Sequence, residues 1–375
     1  MSLASAISGL SLSTRYFGTG AACQSWTFGM KPRGDMEPRP DGSRMNRGGY
    51  PTEASPARRS SRLRRRRRPE ERGKPPVLQF VLSGVAIGSI YGLIGMALAI
   101  SFYVTRIINF AQGELMMVTV MVTAELASSG YPVWLAALAG LACSCIVGIL
   151  SYVIAVRPIL LSNRFSFGWL VSTLGFAVIV ENAAAYIWGP TSQAFPPILN
   201  GISLPIGGAV LTAQQLLAIV TAAVLAAGFE IVRRYTLFGK LGMATAADPE
   251  MASAIGANTT IVAIVAFAIS AIYAGIAGLL IGPSTFANPY LGDTFGTYGF
   301  IAMMIGGGTE RPIAAMFGGL LLGVCAEGAN ALINSQASDW FPFIVLVLIL
   351  IVSPKGLFST SNPLFRPRRV AVTRG

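Results

Sequence analysis

RIINFAQGELMM, residues 106–117, sets Arg106, Asn109, Gln112 and Glu114 between two long apolar runs, YGLIGMALAISFYV before it and VTVMVTAELA after it. Polar and ionisable side chains inside hydrocarbon are costly, so a chain that keeps several together within membrane-type sequence marks a candidate functional segment. The surroundings are of that type. The whole chain has 53% hydrophobic and 12% charged residues with a mean hydropathy of +0.61, against roughly 25% charged residues in soluble domains. An all-α polytopic membrane protein follows.

Working outward, apolar runs near the ~20 residues that span a bilayer as a helix recur at 78–104, 113–129, 132–156, 168–188, 211–233, 259–282, 294–308, 312–334 and 340–353. The expectation is about eight or nine transmembrane or re-entrant helices. The 294–308 run is short and Gly-rich (FGTYGFIAMMIGGG), which predicts a broken or re-entrant helix rather than a full crossing. The pairs Gly275 and Gly278, and Gly318, Gly319 and Gly323, suit close helix–helix contact, because membrane helices pack through small residues.

The net charge of +12 conceals two objects. Residues 1–76 carry 16 Lys/Arg against 6 Asp/Glu, or +10, and residues 77–375 carry 12 against 10, or +2. The first segment is rich in Ser, Gly, Pro and Arg and ends in ARRSSRLRRRRRPEERGKPP; it has too little apolar surface to offset its ordering entropy and is expected to be disordered. Two readings of it stand open: a basic extension whose run Arg64–Arg68 suits anionic headgroups or nucleic acid, or sequence ahead of a native start at Val77. Its basic run is not followed by a short apolar region and a small-residue cleavage site, as a signal peptide requires.

Basic residues flanking the spans give orientation. Arg157 and Arg164, Arg233, Arg234 and Lys240, and the tail 355–375 with Lys355, Arg366, Arg368, Arg369 and Arg374 should face the cytoplasm. Counting crossings back from them puts Arg106 inside and the N-terminus outside, which conflicts with an Arg-rich tail. Either the tail is absent or the stretch around Asn109 breaks within the membrane.

There is no histidine, which removes the commonest neutral-pH acid/base and metal ligand. Cys23, Cys143, Cys145 and Cys325 form no CxxC pair and read as small apolar residues, not metal ligands. No GxxxxGK[ST] phosphate loop occurs; Gly239-Lys240 lacks both the upstream glycine and a following Ser or Thr. No cofactor and no catalytic residue is expected.

The loop 233–258, RRYTLFGKLGMATAADPEMASAIGAN, is long for a connector. Met243, Ala247, Met251 and Ile255 recur at four-residue spacing, and Asp248-Pro249 makes a helix start with Asp as N-cap and Pro at the first position. An amphipathic helix ending near Gly256 is a shape that a cytoplasmic partner can grip; a solvated linker on the membrane surface is the alternative.

Five colinear blocks then carry a resemblance: YGLIGMALAISFYVTRIINFAQGELMMV (91–118), GKLGMATAADPEMASAIGAN (239–258), FAISAIYAGIAGLLIGP (267–283), GGGTERPIAAMFGGLLLGVCAEGANAL (306–332) and VLVLILIVSPKGLF (345–358). Together they resemble the permease subunits of bacterial branched-chain amino acid ABC importers, of the LivH type. The resemblance covers 77–358 and none of 1–76.

It implies a multi-pass permease of the bacterial inner membrane without its own motor, working by alternating access. The implied partners are a second permease subunit in a homo- or heterodimer, two cytoplasmic ATP-binding subunits and an extracytoplasmic solute-binding protein; no nucleic acid is implied. The segment near 236–258 occupies the coupling position, with Asp248, Glu250, Met251, Ala252 and Gly256 as candidate contacts to the ATPase. Asn109, Gln112, Gly113 and Glu114 are candidates for the translocation pathway or for a hinge, and Glu181, Asn182, Glu327 and Asn330 for intramembrane polar contacts. The family pattern commonly reads INFAHG followed by Asp or Glu. Gln112 stands where the histidine is common, so a titrating contact there is lost. Substrates would be branched-chain or other amino acids, amides or urea-like solutes. A standalone channel or ion-coupled carrier is the rival reading; it would need paired acidic and basic groups within spans, which are sparse.

Overall fold

The computed structural model describes residues 77–162, 167–197, 203–206, 209–309, 311–332, 337–354 and 356–358. The expectations for 1–76, Cys23, Arg164, Lys355 and the tail from 359 fall outside these residues. The described chain forms α1 (Val77–Thr105), α2 (Gln112–Ser128), α3 (Val133–Leu150), a π-helical stretch (Ser151–Val156), α4 (Arg157–Ser162) and α5 (Gly168–Trp188). A small antiparallel hairpin follows, β1 (Ser203–Ile206) and β2 (Ala209–Thr212), then α6 (Ala213–Tyr235), α7 (Leu237–Ala247) and α8 (Pro249–Ala254). The rest is α9 (Thr259–Thr285), α10 (Leu291–Gly306), α11 (Pro312–Leu332) and α12 (Ala337–Val352). Six described helices are long and apolar enough to cross a membrane.

At the heart of the bundle α1 crosses α11 on glycine. A Cβ on Gly84 would come within 2.7 Å of the Val324 backbone and one on Gly88 within 2.7 Å of the Gly319 carbonyl, and Gly319 and Gly323 are closed in the same way by Gly92 and Gly88. Backbones therefore touch along this crossing, the arrangement expected of Gly319 and Gly323, while Gly318 makes the same close approach to Ala302 and Gly306 of α10. Gly278 of α9 likewise receives Met116 of α2.

Two segments interrupt the helices. α1 ends at Thr105, Arg106 takes a left-handed φ of 59°, and α2 starts only at Gln112; α9 ends at Thr285, Phe286 takes φ 62°, and α10 starts at Leu291. These two are the non-glycine residues with positive φ among those described. Each break carries the same turn: Asn109 Oδ1 accepts from the Ala111 amide at 3.2 Å, and Asn288 Oδ1 from the Tyr290 amide at 3.0 Å. The carbonyls of these asparagines then accept from Gln112 N and Leu291 N, the first residues of the new helices. NFAQGE (109–114) and NPYLGD (288–293) are thus two copies of one device.

The copies run in opposite directions. At about 1.5 Å per residue, α2 with 17 residues and α10 with 16 measure about 25 and 24 Å, short of the ~30 Å apolar thickness of a bilayer. Gln112 lies level with Ser270, in the middle of α9, so α2 begins halfway through the bundle. Gly113 packs directly on Gly292 and Gly296, so α10 begins at the same level. The surrounding contacts match: α1 packs on α10 and α11, and α9 on α2 and α3. The expectation of a re-entrant or broken helix at 294–308 is met by the segment 286–306, and a second one lies at 106–128.

One end of the bundle gathers the charge. Arg106 reaches the carbonyls of Ala246 and Thr309, Arg157 shares a cavity with Thr105 and Ala247, and Arg233 and Arg234 pair with Glu230 one turn before α7. At the opposite end the hairpin closes over the start of α1, where Gln79 donates to and accepts from Val210 at 3.2 and 2.7 Å. The positive-inside rule assigns the arginine-rich end to the cytoplasm as an expectation. α1 then crosses outside to inside, with Val77 on the outer face, and the polar stretch around Asn109 breaks within the membrane. The break inside the bundle leaves Val77 at the end opposite the arginines, so it does not by itself remove the charge conflict, and residues 1–76 fall outside the described chain.

Candidate functional site

The site grows from the two helix starts that meet at Gly113 and Gly292. Neither position has room for a side chain: a Cβ on Gly113 would fall on the Gly292 carbonyl oxygen, and one on Gly292 would come within 2.7 Å of the Glu114 carboxylate. This close approach brings Glu114, in the first turn of α2, and Asp293, in the first turn of α10, to one place. Helix starts favour negative charge, because the unpaired amides and the helix dipole present a partial positive end there.

Asn109 and Gln112 are fully buried, and Glu114 retains 3% exposure. The segment is therefore packed inside the bundle rather than solvated at its end. Gln112 is held reciprocally, its Nε2 donating to the Ser270 carbonyl at 2.9 Å and its Oε1 accepting from Ser270 Oγ at 3.0 Å. Asn109 Oδ1 accepts a second bond, from Ser151 Oγ at 3.2 Å, in the π-helical stretch. The Asn109 amide nitrogen and Glu114 Oε2 are buried and have no partner.

Glu114 opens onto a cavity of about 280 Å³ whose wall also holds Gln112, Glu181 of α5 and Asp293. The remaining wall is mostly apolar, with Leu98, Phe110, Leu174, Val178 and Phe300. Phe110 and Phe300 sit with ring centroids 5.5 Å apart at one side. No described lysine or arginine lines it. Asp293 itself is exposed on the surface of the bundle at mid-depth, where a carboxylate facing lipid would be expensive. A charged mid-membrane group in that position calls for water or a protein neighbour. The arrangement can take a small solute with a cationic group and an aliphatic part.

The other polar candidates lie elsewhere. Asn182 turns away from the cavity, is exposed and donates to the Val178 carbonyl of its own helix at 2.8 Å. Glu327 lines a separate cavity of about 360 Å³ toward the outer end, with Gln214, Gln215 and Tyr91, and Asn330 is exposed on the same helix. Asp293 is absent from the sequence-based candidates because the predicted span begins at 294, one residue beyond it. The repeated N-x-x-x-G-[ED] would have pointed to it.

At the cytoplasmic end the loop forms two helices rather than one. Asp248 breaks the four-residue periodicity at φ −153° and caps α8, its Oδ1 accepting from the amides of Glu250 and Met251, both at 3.0 Å. Ala252 is buried beneath α8, and Gly256 ends it with φ 93°. Met251 and Ile255 project at 64% and 73% exposure. This is an apolar tip on a capped, short element.

Discontinuous helices, a carboxylate-lined mid-depth cavity and one basic end define a multi-pass membrane permease. Residues 80–353 match the family described as "Branched-chain amino acid transport system / permease component", and the chain belongs to it. The high-affinity branched-chain amino acid transport system permease protein LivH of Salmonella typhimurium is 33% identical over 295 residues, which cover 75% of this chain and 94% of that protein. LivH of Escherichia coli K12 is 32% identical over the same length and coverage. BraD of Pseudomonas aeruginosa, named for the same transport system, is 28% identical over 296 residues, covering 75% and 95%. No solved structure matches.

Proposed function

We propose that this chain is the membrane subunit of an ATP-driven importer that carries branched-chain or similar small amino acids across the bacterial cytoplasmic membrane. The observation that carries the reading is the cavity where Glu114, Glu181 and Asp293 face an otherwise mainly apolar wall. The carboxylates suit the substrate's ammonium group, and Leu98, Phe110, Leu174, Val178 and Phe300 suit an aliphatic side chain. About 280 Å³ is of the right order for one such molecule.

The exposed Asp293 supports a pathway that runs along the α2, α5 and α10 face, completed by a second permease subunit. A solute-binding protein delivers substrate to the outer end, at the hairpin. Two ATP-binding subunits dock on the cytoplasmic tip of α7 and α8, with Glu250, Met251 and Ile255 at the contact and Asp248, Ala252 and Gly256 shaping it. Closure of those subunits moves the helix pair against the bundle, and the two halves exchange inward and outward access about the Gly113–Gly292 contact.

The test is uptake of radiolabelled leucine by the assembled transporter. Glu114→Gln and Asp293→Asn should each lower uptake at least tenfold, with the protein still present and assembled in the membrane. Full uptake by both variants would refute the assignment.

A further inference from the structure

A larger cavity, about 470 Å³, lies at the cytoplasmic end, and nothing in the transport reading uses it. Its floor is Thr105, Arg106 and Ile107 at the end of α1. One wall is Tyr152, Arg157, Leu160, Leu161 and Trp169, and the roof is Thr245, Ala246, Ala247 and Pro249 of the α7–α8 element. Two guanidinium groups therefore border one space. Arg106 makes two long bonds of 3.5 Å to the carbonyls of Ala246 and Thr309 and lies over the Phe102 ring. No described carboxylate pairs with Arg106 or Arg157, in contrast to Arg233 and Arg234, which share Glu230. On the roof the Thr245 hydroxyl is buried without a hydrogen-bond partner. The mouth is apolar: Leu161 is 77% exposed, and Trp169 is a residue type that favours the membrane–water interface.

We propose that this cavity binds an anionic phospholipid of the inner leaflet, its phosphate held between Arg106 and Arg157 and its acyl chains leaving past Leu160, Leu161 and Trp169. Phosphate matches guanidinium groups that have no carboxylate partner. Two long apolar chains match a cavity that opens on exposed leucine at the level of the headgroups. The roof belongs to the element proposed to receive the ATP-binding subunits, and Trp169 stacks on Phe110 of the central cavity at 6.4 Å and 12°. An occupied site therefore braces the coupling element against the wall of the central cavity.

The test uses the full chain in nanodiscs containing trace phosphatidylglycerol with a photoreactive acyl chain, followed by peptide mapping. Mapping separates this site from any labelling of the Arg-rich segment 58–68. The expected result is labelling within 157–170, at least tenfold weaker with a phosphatidylcholine probe and at least tenfold weaker in Arg106→Gln/Arg157→Gln. Leu161→Asp blocks the mouth without touching either guanidinium and should lower labelling too, so the test survives a misfolded arginine variant. Equal labelling by the phosphatidylcholine probe, or full labelling in both variants, would overturn the proposal. Protection by millimolar glycerol 3-phosphate would assign the cavity to a soluble phosphate and overturn the lipid assignment.

Discussion

At position 112 a buried amide needs both a donor and an acceptor, and Ser270 supplies both, 158 residues further along the chain. Removing one partner strands the other, at a cost of about 1–3 kcal/mol for each buried group left unpaired. Ser270→Ala should therefore lower the thermal midpoint of the purified protein measurably, and Ser270→Ala with Gln112→Leu should recover part of the loss, because the double change strands neither side chain. A double variant less stable than the sum of the singles would contradict this pairing. Gln112 keeps the donor–acceptor balance that a neutral histidine would offer but has no charge to gain. The residue that opened the sequence as a departure from the family thus serves here as a fixed cross-tie.

Backbone strain gives a second residue-scale prediction. Phe286 sits at φ 62° and ψ 158°, a region that non-glycine residues enter at about 1–3 kcal/mol, and its side chain is 60% exposed. Phe286→Gly should raise stability by up to about 1 kcal/mol, and Phe286→Val should lower it, since a β-branched residue tolerates that geometry least. Thermal melts in one detergent, compared across the three proteins, read the order directly.

On the scale of elements, α8 has six residues and stands on one cap. Asp248→Ala removes that cap, at about 1 kcal/mol, and should weaken co-purification of the ATP-binding subunits, whereas Asp248→Asn retains the acceptor and should assemble normally. If Asn failed as badly as Ala, the charge rather than the cap would be what matters. The sequence exposes most of this element, because Asp-Pro is a local signal and local signals survive without tertiary knowledge. The spans are legible for the same reason: 168–188 coincides with α5, and 259–282 falls three residues short of the end of α9. The site is less legible. Glu114 and Asp293 come together only through the contact of Gly113 with Gly292, and nothing near position 114 announces position 293. What the sequence does hold is the echo of NFAQGE in NPYLGD, and it is faint because only the turn asparagine, the glycine and the acid are shared.

At the scale of the whole molecule, the basic residues fix which end faces the cytoplasm, and this is open to a direct test. Tyr131, in the turn between α2 and α3, is exposed at the outer end, and Met251 is exposed at the inner tip. Tyr131→Cys should react with a membrane-impermeant maleimide in intact cells, while Met251→Cys should react only after permeabilisation. Cys143, Cys145 and Cys325 lie within spans, and replacing these three and Cys23 of the N-terminal segment by Ser removes the background. Labelling of position 251 from outside would invert the topology and with it the proposed docking of the ATP-binding subunits.

The meeting of the two helix starts also has a consequence for biosynthesis. Gln112 leaves the ribosome long before Ser270, and Gly113 longer still before Gly292. At about 5–20 residues per second, the gap of 158 residues between Gln112 and Ser270 lasts roughly 8 to 32 s. For that interval the first half-helix has exposed amides, an unpaired glutamine and a carboxylate, and its proper neighbours do not yet exist. The nascent chain must therefore wait at the translocon with its first half unfinished, and the middle of α9 and the first turns of α10 act as the latch that closes both halves together.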